Sequence, residues 1–212
     1  MIGNDIVDLK LASIPVASRI NRFLEKSFSS REQALILESE DFWRTAWLMW
    51  SMKESAYKIY IQQGGEHFFN PVKIECFLFS GYNGTAELNG NNYSTKSIIH
   101  EEYIYTTACS DINQRYKSEC FELRQATYEH QHRTVQQELI KAYSSVSEVV
   151  LEDIAMIKNR AGVPRINVDG KVQPCAVSIT HHGRYCGYAL TKWSTCFFIE
   201  IGNTRLKVHE DL

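Results

Sequence analysis

Two lysines and a glutamate fall within six residues at Lys53, Glu54 and Lys58, in the stretch WSMKESAYK. An acid and two amines so close together suit metal ligation and the stabilisation of charge on a phosphate. Glu54 and Lys58 are four apart, with the acid on the N-terminal side. On a helix that spacing also describes an ordinary exposed ion pair, worth about 0.3 kcal/mol. The flanking Trp47, Met49, Trp50, Met52 and Tyr57 leave little room for a purely solvated face. A second acid, Asp5, sits between Asn4 and Ile6 in an otherwise apolar stretch. Alone it reads as an edge or turn residue. Paired with a helical carboxylate it suits a hard cation, because Mg2+ takes one or two carboxylates plus waters and substrate phosphates. The third cluster is Thr180-His181-His182-Gly183-Arg184. Adjacent histidines on a strand point to opposite faces and make poor joint metal ligands. One histidine with a hydroxyl and backbone amides near a glycine turn is better suited to phosphate.

The elements that must position these groups follow from periodicity. Ile2 to Leu9 predicts a short strand carrying Asp5 and Asp8. KLASIPVASRINRFLEKSF reads as mixed helix and loop. Ser29 and Glu32 have capping-box spacing, which predicts a short helix starting near Ser30. A longer helix is predicted from near Asp41 to about Gln62, with Ala46, Met49, Trp50, Lys53, Tyr57 and Tyr60 at helical spacing and Gly64-Gly65 ending it. Strands are expected over Pro71 to Phe79, near Thr85 to Leu88 and near Tyr103 to Cys109, with turn chemistry at Gly81 to Gly84. From about Asn113 the chain changes character. KSECFELRQAT reads as a strand, His130 to Ser144 as a helix, VVLEDIAMIKN as a short strand and RAGVPRINVDGKVQ as a loop. AVSITHHGRYCGYAL and STCFFIEIG are the closing strand candidates.

Composition bounds the class. The chain has 212 residues, 44% of them hydrophobic, enough to bury a core in one large domain or two small ones. Its formal net charge of −2 argues against a nucleic-acid partner held by a broad basic field, while leaving room for a local basic pocket. The six cysteines, at 76, 109, 120, 175, 186 and 196, show no CxxC spacing, which disfavours a zinc ribbon. The opening MIGNDIVDLK carries acids rather than a basic n-region, so reduced cysteines and a cytoplasmic location are expected. The apolar runs fall far short of a membrane span.

Gly3-Asn4-Asp5-Ile6-Val7-Asp8-Leu9 followed by Trp50-Ser51-Met52-Lys53-Glu54-Ser55-Ala56-Tyr57-Lys58 resembles the 4′-phosphopantetheinyl transferase superfamily, whose signature is G-x-D and then W-x-x-K-E-[SA]-x-x-K. The first block is similar to the small holo-acyl-carrier-protein synthases. His132-Arg133-Thr134, Gly162-Val163-Pro164 and Ser178-Ile179-Thr180-His181-His182-Gly183 resemble the first half of the larger, surfactin-synthetase-activating type, here placed after the G-x-D block.

The resemblance implies an α+β fold of two similar halves forming a pseudo-dimer, each with a small antiparallel sheet and packed helices. Residues 1–112 would bear the metal and the catalysis, and residues 113–212 would bind coenzyme A. It implies that Asp5 and Glu54 ligate Mg2+, that Glu54 takes the serine proton, and that Lys58 with Lys53 stabilises phosphate charge. It further implies that Thr180 and His181 hold the 3′-phosphate end of coenzyme A, with Arg133 and Thr134 near the adenine nucleotide. The acceptor is an apo acyl or peptidyl carrier protein. No nucleic-acid or membrane partner is implied, and the joined halves suit a monomer. Where the larger type has a second metal carboxylate this chain has Val7, so Asp8 or water is left to complete the shell. The family lysine of G-K-P is Val163, which leaves Arg165 or Arg160 to supply its charge. Two other readings stand beside this one. One is a coenzyme- or carrier-binding module without turnover. The other makes the second half a structural cover for a sheet edge.

Overall fold

The strand β1, Ile2–Asp8, alternates between two environments. Val7 faces one core, while Ile2 and Ile6 face two smaller clusters on the other side. The computed structural model describes residues 1–12, 19–68 and 70–191, together with the backbone of 197–201 and 204–208. Beside β1 lies β5, Tyr103–Cys109, and beyond it β4, Asn91–Ile99, β3, Asn83–Leu88, and β2, Glu75–Leu78. They form one antiparallel sheet in the order β1-β5-β4-β3-β2.

Three helices accompany this sheet: α1, Ile20–Ser27, α2, Ser30–Glu38, and α3, Phe42–Gln62. The capping box of α2 forms as expected, with Ser29 Oγ accepting from Glu32 N–H and Glu32 accepting from Ser29 N–H at 2.8 Å. Asp41 caps α3 by accepting from Arg44 N–H. The apolar face of α3, including Met49, Met52, Ala56 and Ile59, fills the core over the sheet. Gly3 is required by how closely the helix approaches, since a Cβ there would overlap the Ser55 carbonyl oxygen.

The rest of the chain supplies β6, Tyr116–Glu122, the helix α4, Tyr128–Ser147, and then β7, Ile154–Lys158, β8, Pro164–Val168, and β9, Lys171–Val172. After these come β10, Val177–His182, and β11, Tyr185–Thr191. Two three-stranded antiparallel sheets result, β10-β11-β6 and β7-β8-β9. Val135, Leu139 and Tyr143 of α4 pack with Ile166, Val177 and Tyr188 in a separate core. A last hairpin pairs β12, Phe197–Ile201, with β13, Thr204–Val208. The architecture is α+β.

Several expectations change. Asn91–Ile99 is a strand, reached through a turn at Asn89 and Gly90 with φ of 51° and 78°. The stretch expected as a loop, 160–173, contains β8 and β9 joined at Asp169 and Gly170, with φ of 50° and 77°. Proline opens the 71–79 segment as a 3-10 turn, Pro71–Lys73, before the strand. AVSITHHGRYCGYAL is a complete hairpin rather than one strand. Cys76, Cys109, Cys120, Cys175 and Cys186 are free, while Cys196 lies outside the described residues. Among the described residues no helix is long and apolar enough to cross a membrane.

β1 is the end strand of its sheet, and β10 lies along its open edge. The outward N–H groups of Asn4, Ile6 and Asp8 donate to Ser178 Oγ at 3.1 Å, Thr180 Oγ1 at 3.3 Å and His182 Nδ1 at 2.9 Å. Side chains from alternate residues of β10 thus satisfy an edge that would otherwise be bare.

Candidate active site

Asp5 projects from β1 on the same side as Gly3 and Val7, toward α3. Its side chain is 14% exposed. Asp5 Oδ1 accepts from the Thr180 hydroxyl at 3.2 Å and lies 3.7 Å from the Lys58 ammonium. Ser51 of α3 donates to the Asp5 carbonyl at 3.4 Å. Lys58 leaves the helix surface to donate to the Asn4 carbonyl at 2.6 Å and the Ile179 carbonyl at 3.4 Å. Its ion pair is with Asp5 rather than the i,i+4 pair with Glu54. One ammonium therefore ties α3, β1 and β10 together.

Glu54 sits one helical turn before Lys58, and both line a cleft of about 300 Å3. Its other walls include Tyr57 and Gln62 of α3, His67, Lys158 of β7 and Val163-Pro164. Burial pushes the Asp5 carboxyl above its ordinary value, against the pull of Lys58 and the Thr180 bond. Burial also raises Glu54, the Asp5 charge raises it further, and Lys58 offsets part of this. Burial raises both carboxyls, and the Asp5 charge adds to it at Glu54, so positive charge beside them is favoured.

His181 sits on β10 with its ring edge-on to Tyr128 at 5.4 Å. Burial and the neighbouring Lys58, His132 and His182 push its imidazole down. Burial and these neighbours therefore favour the neutral His181 ring.

Three expected residues lie elsewhere. Lys53 is 1% exposed, and its ammonium donates to Glu32 Oε2 at 2.8 Å, to the Pro71 carbonyl at 3.0 Å and to the Ile74 carbonyl. All three of its donors are used inside the fold, so it does not face the cleft. Arg133 and Thr134 line a different hollow with Glu119, Glu122 and Glu138. Each residue of α4 turns about 100° from the last, so His132 faces β10 while its two successors rotate away.

Asp8 does not line that cleft. Its carboxylate is fully buried and accepts four hydrogen bonds, from Lys10 N, Arg184 N, Arg184 Nε and Arg184 Nη2. Burial alone would raise it, but the Arg184 guanidinium and the two backbone amides hold it below its ordinary value of 3.8. Val7 and Val163 are both packed away from solvent, with no cationic or acidic substitute at either position. Lys158, which carries no motif signal, is the basic residue of β7 that lines the cleft. Its signal was a lone lysine closing the run IAMIK, a pattern any exposed strand end shares.

A family model described as the 4′-phosphopantetheinyl transferase superfamily matches residues 1–109, about half of the 212-residue chain. The chain belongs to that superfamily. No curated protein matches it closely enough to count as a relative. The matched residues contain Asp5, Glu54, Lys58 and the whole five-stranded sheet. Thr180, His181 and Lys158 lie outside them. Membership of this superfamily points to phosphopantetheinyl transfer as the general activity.

Among the described residues no group of three or more His, Cys, Asp or Glu side chains could hold a metal ion. The site offers two carboxylates. That donor set fits Mg2+, which keeps most of its waters and takes substrate phosphates, and does not fit a closed structural metal.

Proposed function

We propose that the protein transfers the 4′-phosphopantetheine arm of coenzyme A to a serine of an apo acyl or peptidyl carrier protein, in a Mg2+-dependent reaction that releases 3′,5′-ADP. The observation that carries this reading is the convergence of Asp5, Glu54 and Lys58 beside one cleft in a chain of this superfamily.

Asp5 and Glu54 would hold Mg2+, which when bound supplies charge neutralisation for the pyrophosphate oxygens. Glu54 accepts the proton of the carrier serine, directly or through water. A carboxyl raised by burial and by a neighbouring acid is a stronger base than one in water. The serine oxygen bonds to the β-phosphorus as the bond to 3′,5′-ADP breaks. Lys58 faces the oxygens on which charge builds. Thr180 takes part through Asp5, to which its hydroxyl is already bonded. His181, with His132 and Lys58 near it, suits the 3′-phosphate end of the coenzyme. Lys158 supplies, at the cleft wall, the cation that Val163 does not. Lys53 is assigned to the fold.

Residues 1–112 and 113–212 read as two halves of a pseudo-dimer, of holo-acyl-carrier-protein synthase type in the first half and of the larger type, in permuted order, in the second. Two features favour this. The halves have separate cores. Their strands β1 and β10 also run side by side at a constant offset of 174 residues. A working site in one chain makes a monomer sufficient, and the cytoplasm is its expected location. The carrier protein docks at the groove formed by Arg19, Arg22, Phe23 and Lys26 with Trp50, one helical turn from Glu54. That surface is locally basic and partly apolar on a chain of net charge −2, and it suits an acidic helix.

The test is intact-protein mass spectrometry of apo carrier proteins incubated with the protein, coenzyme A and Mg2+. A gain of one phosphopantetheine arm, lost with Glu54→Ala and with EDTA, is expected. If folded protein binds coenzyme A but transfers nothing to any carrier, the binding-module reading replaces this one, with Val7 and Val163 as its structural basis.

A further inference from the structure

β10 reaches the edge of β1 with side chains rather than with a backbone ladder, and Lys58 and Gln62 of α3 bridge the Asn4 and Ile2 carbonyls of β1 to the Ile179 and Val177 carbonyls. In the observed alignment Ser178, Thr180 and His182 accept from Asn4, Ile6 and Asp8. A slip of β10 by two residues would set Ser178 against Ile6 and Thr180 against Asp8, with Ala176 opposite Asn4. Two of the three N–H groups would still meet a hydroxyl. The opposite slip is barred, because Arg184 has no acceptor to offer Asp8 N–H. The tolerated slip would carry Thr180 about 7 Å from Asp5, at the rise of an extended strand.

We propose that Arg184 is the positioning residue that fixes this register, and through it the contact of Thr180 with Asp5. Its guanidinium grips the buried Asp8 carboxylate with Nε at 3.1 Å and Nη2 at 3.2 Å, and its own N–H donates at 2.9 Å. A two-pronged grip of this kind sets direction as well as distance. The turn that carries Arg184 rests directly on Asp8. Gly183 has a φ of 58°, and a Cβ there would overlap Asp8 Oδ2. Gln131 of α4 donates to the Gly183 carbonyl from behind. The remaining nitrogen, Nη1, reaches Glu102 at 3.2 Å and Glu122 at 3.3 Å. These two acids are about half exposed and contribute little; the buried Asp8 is the anchor.

Neither Asp8 nor Arg184 touches the reacting groups in the proposed reaction. Their role is to stop β10 from sliding along β1. The register does not depend on the activity, whereas its consequence for metal binding rests on the transferase reading.

Amide hydrogen exchange resolved by residue tests the register without any turnover assay. In an antiparallel pair alternate N–H groups face the partner, so Gly3, Asp5 and Val7 bond to β5 while Asn4, Ile6 and Asp8 face β10. In Arg184→Gln, exchange at Asn4, which then faces Ala176, should rise at least about tenfold, with smaller changes at Ile6 and Asp8, which then meet Ser178 and Thr180, and with Gly3, Asp5 and Val7 unchanged. Arg184→Lys, which keeps the charge and loses the fork, should fall between the two. In Thr180→Val, Ile6 alone should lose protection, because Arg184 still holds the alignment. Metal titration of Arg184→Gln should show a half-saturating Mg2+ concentration raised several-fold, with the Asp5 and Glu54 side chains intact. Retained protection at Asn4 in Arg184→Gln would overturn the proposal. So would loss at all three in Thr180→Val, which would mean the β10 side chains hold the register themselves. If the exchange pattern is as expected and no carrier is modified by the wild type, the transferase reading fails while the register stands.

Discussion

The Thr180 hydroxyl donates to Asp5 Oδ1 at 3.2 Å, joining residues 175 positions apart in the chain. Thr180 Oγ1 also accepts from Ile6 N–H, so one hydroxyl both closes the sheet edge and orients the carboxylate next to it. A hydrogen bond to a charged group contributes about 1.5–3 kcal/mol. Thr180→Val should therefore raise the half-saturating Mg2+ concentration about tenfold, while Thr180→Ser restores it. Steady-state rates against Mg2+ at saturating coenzyme A measure this. A raised KM for coenzyme A with no change in Mg2+ dependence would return Thr180 to a direct role at the 3′-phosphate.

Lys53 and Glu32 form the most buried ion pair in the described part of the molecule, with side chains 1% and 0% exposed. The pair joins α2 and α3 to the 71–76 segment, because Glu32 also accepts from Cys76 N–H at 2.7 Å. Removing one partner strands the other, which costs about 3–5 kcal/mol. Lys53→Met should lower the free energy of unfolding by that amount in chemical denaturation. The double variant Lys53→Met, Glu32→Leu should recover much of it. If Lys53 instead served the coenzyme, Lys53→Met would weaken coenzyme A binding without loss of stability.

What the sequence disclosed and what it concealed have a common cause. β1, the capping box at Ser29 and the extent of α3 were legible because each is written in short-range spacing. β4 and the β8–β9 hairpin were not recognised, although Asn89-Gly90 and Asp169-Gly170 mark both turns. Stretches such as NNYSTKS carry too few apolar residues to show a strand period. Asp5, Glu54 and Lys58 were found by motif, and they converge. The partner of Lys53 lies on another helix, and the four donors to Asp8 come largely from residue 184, so no local pattern announces either. Lys158 reaches the cleft only because β7 and β8 form one of its walls.

The Asp8 carboxyl is held below its ordinary value of 3.8, so its folded state binds the proton less readily than its unfolded state. Its contribution to stability is therefore fully present above that ordinary value. It is lost as the pH falls through the lower, folded value. Thermal melts should show the wild type and Arg184→Gln separated at neutral pH, with the gap narrowing as the solution is acidified below about 4. A gap that stays constant down to the acid limit would mean the Asp8 charge is not what Arg184 stabilises.

Lys158 lines the same cleft as Glu54 and Lys58 from the opposite wall, on β7. If it meets a coenzyme phosphate, Lys158→Ala should raise the KM for coenzyme A about tenfold with kcat little changed, since one charge-assisted contact is lost in ground and transition states alike. Arg160→Ala and Arg165→Ala should have smaller effects, because neither residue lines that cleft. A kcat effect without a KM effect would place Lys158 at the transferring phosphate instead.

Gly3 lies against the carbonyl of Ser55, the residue that follows Glu54. Gly3→Ala inserts a methyl group where the helix backbone already touches the strand, and overpacking of this kind costs about 1–3 kcal/mol. The helix can relieve it only by moving off β1, which separates Glu54 from Asp5. A misplacement of about 1 Å between reacting groups is enough to lower a rate about a hundredfold. The variant should therefore fold, melt a few degrees lower, and lose far more activity than stability. If Gly3→Ala lost stability but kept its rate at temperatures where it is folded, Glu54 and Asp5 would not need to act together, and the two-carboxylate metal site would be wrong.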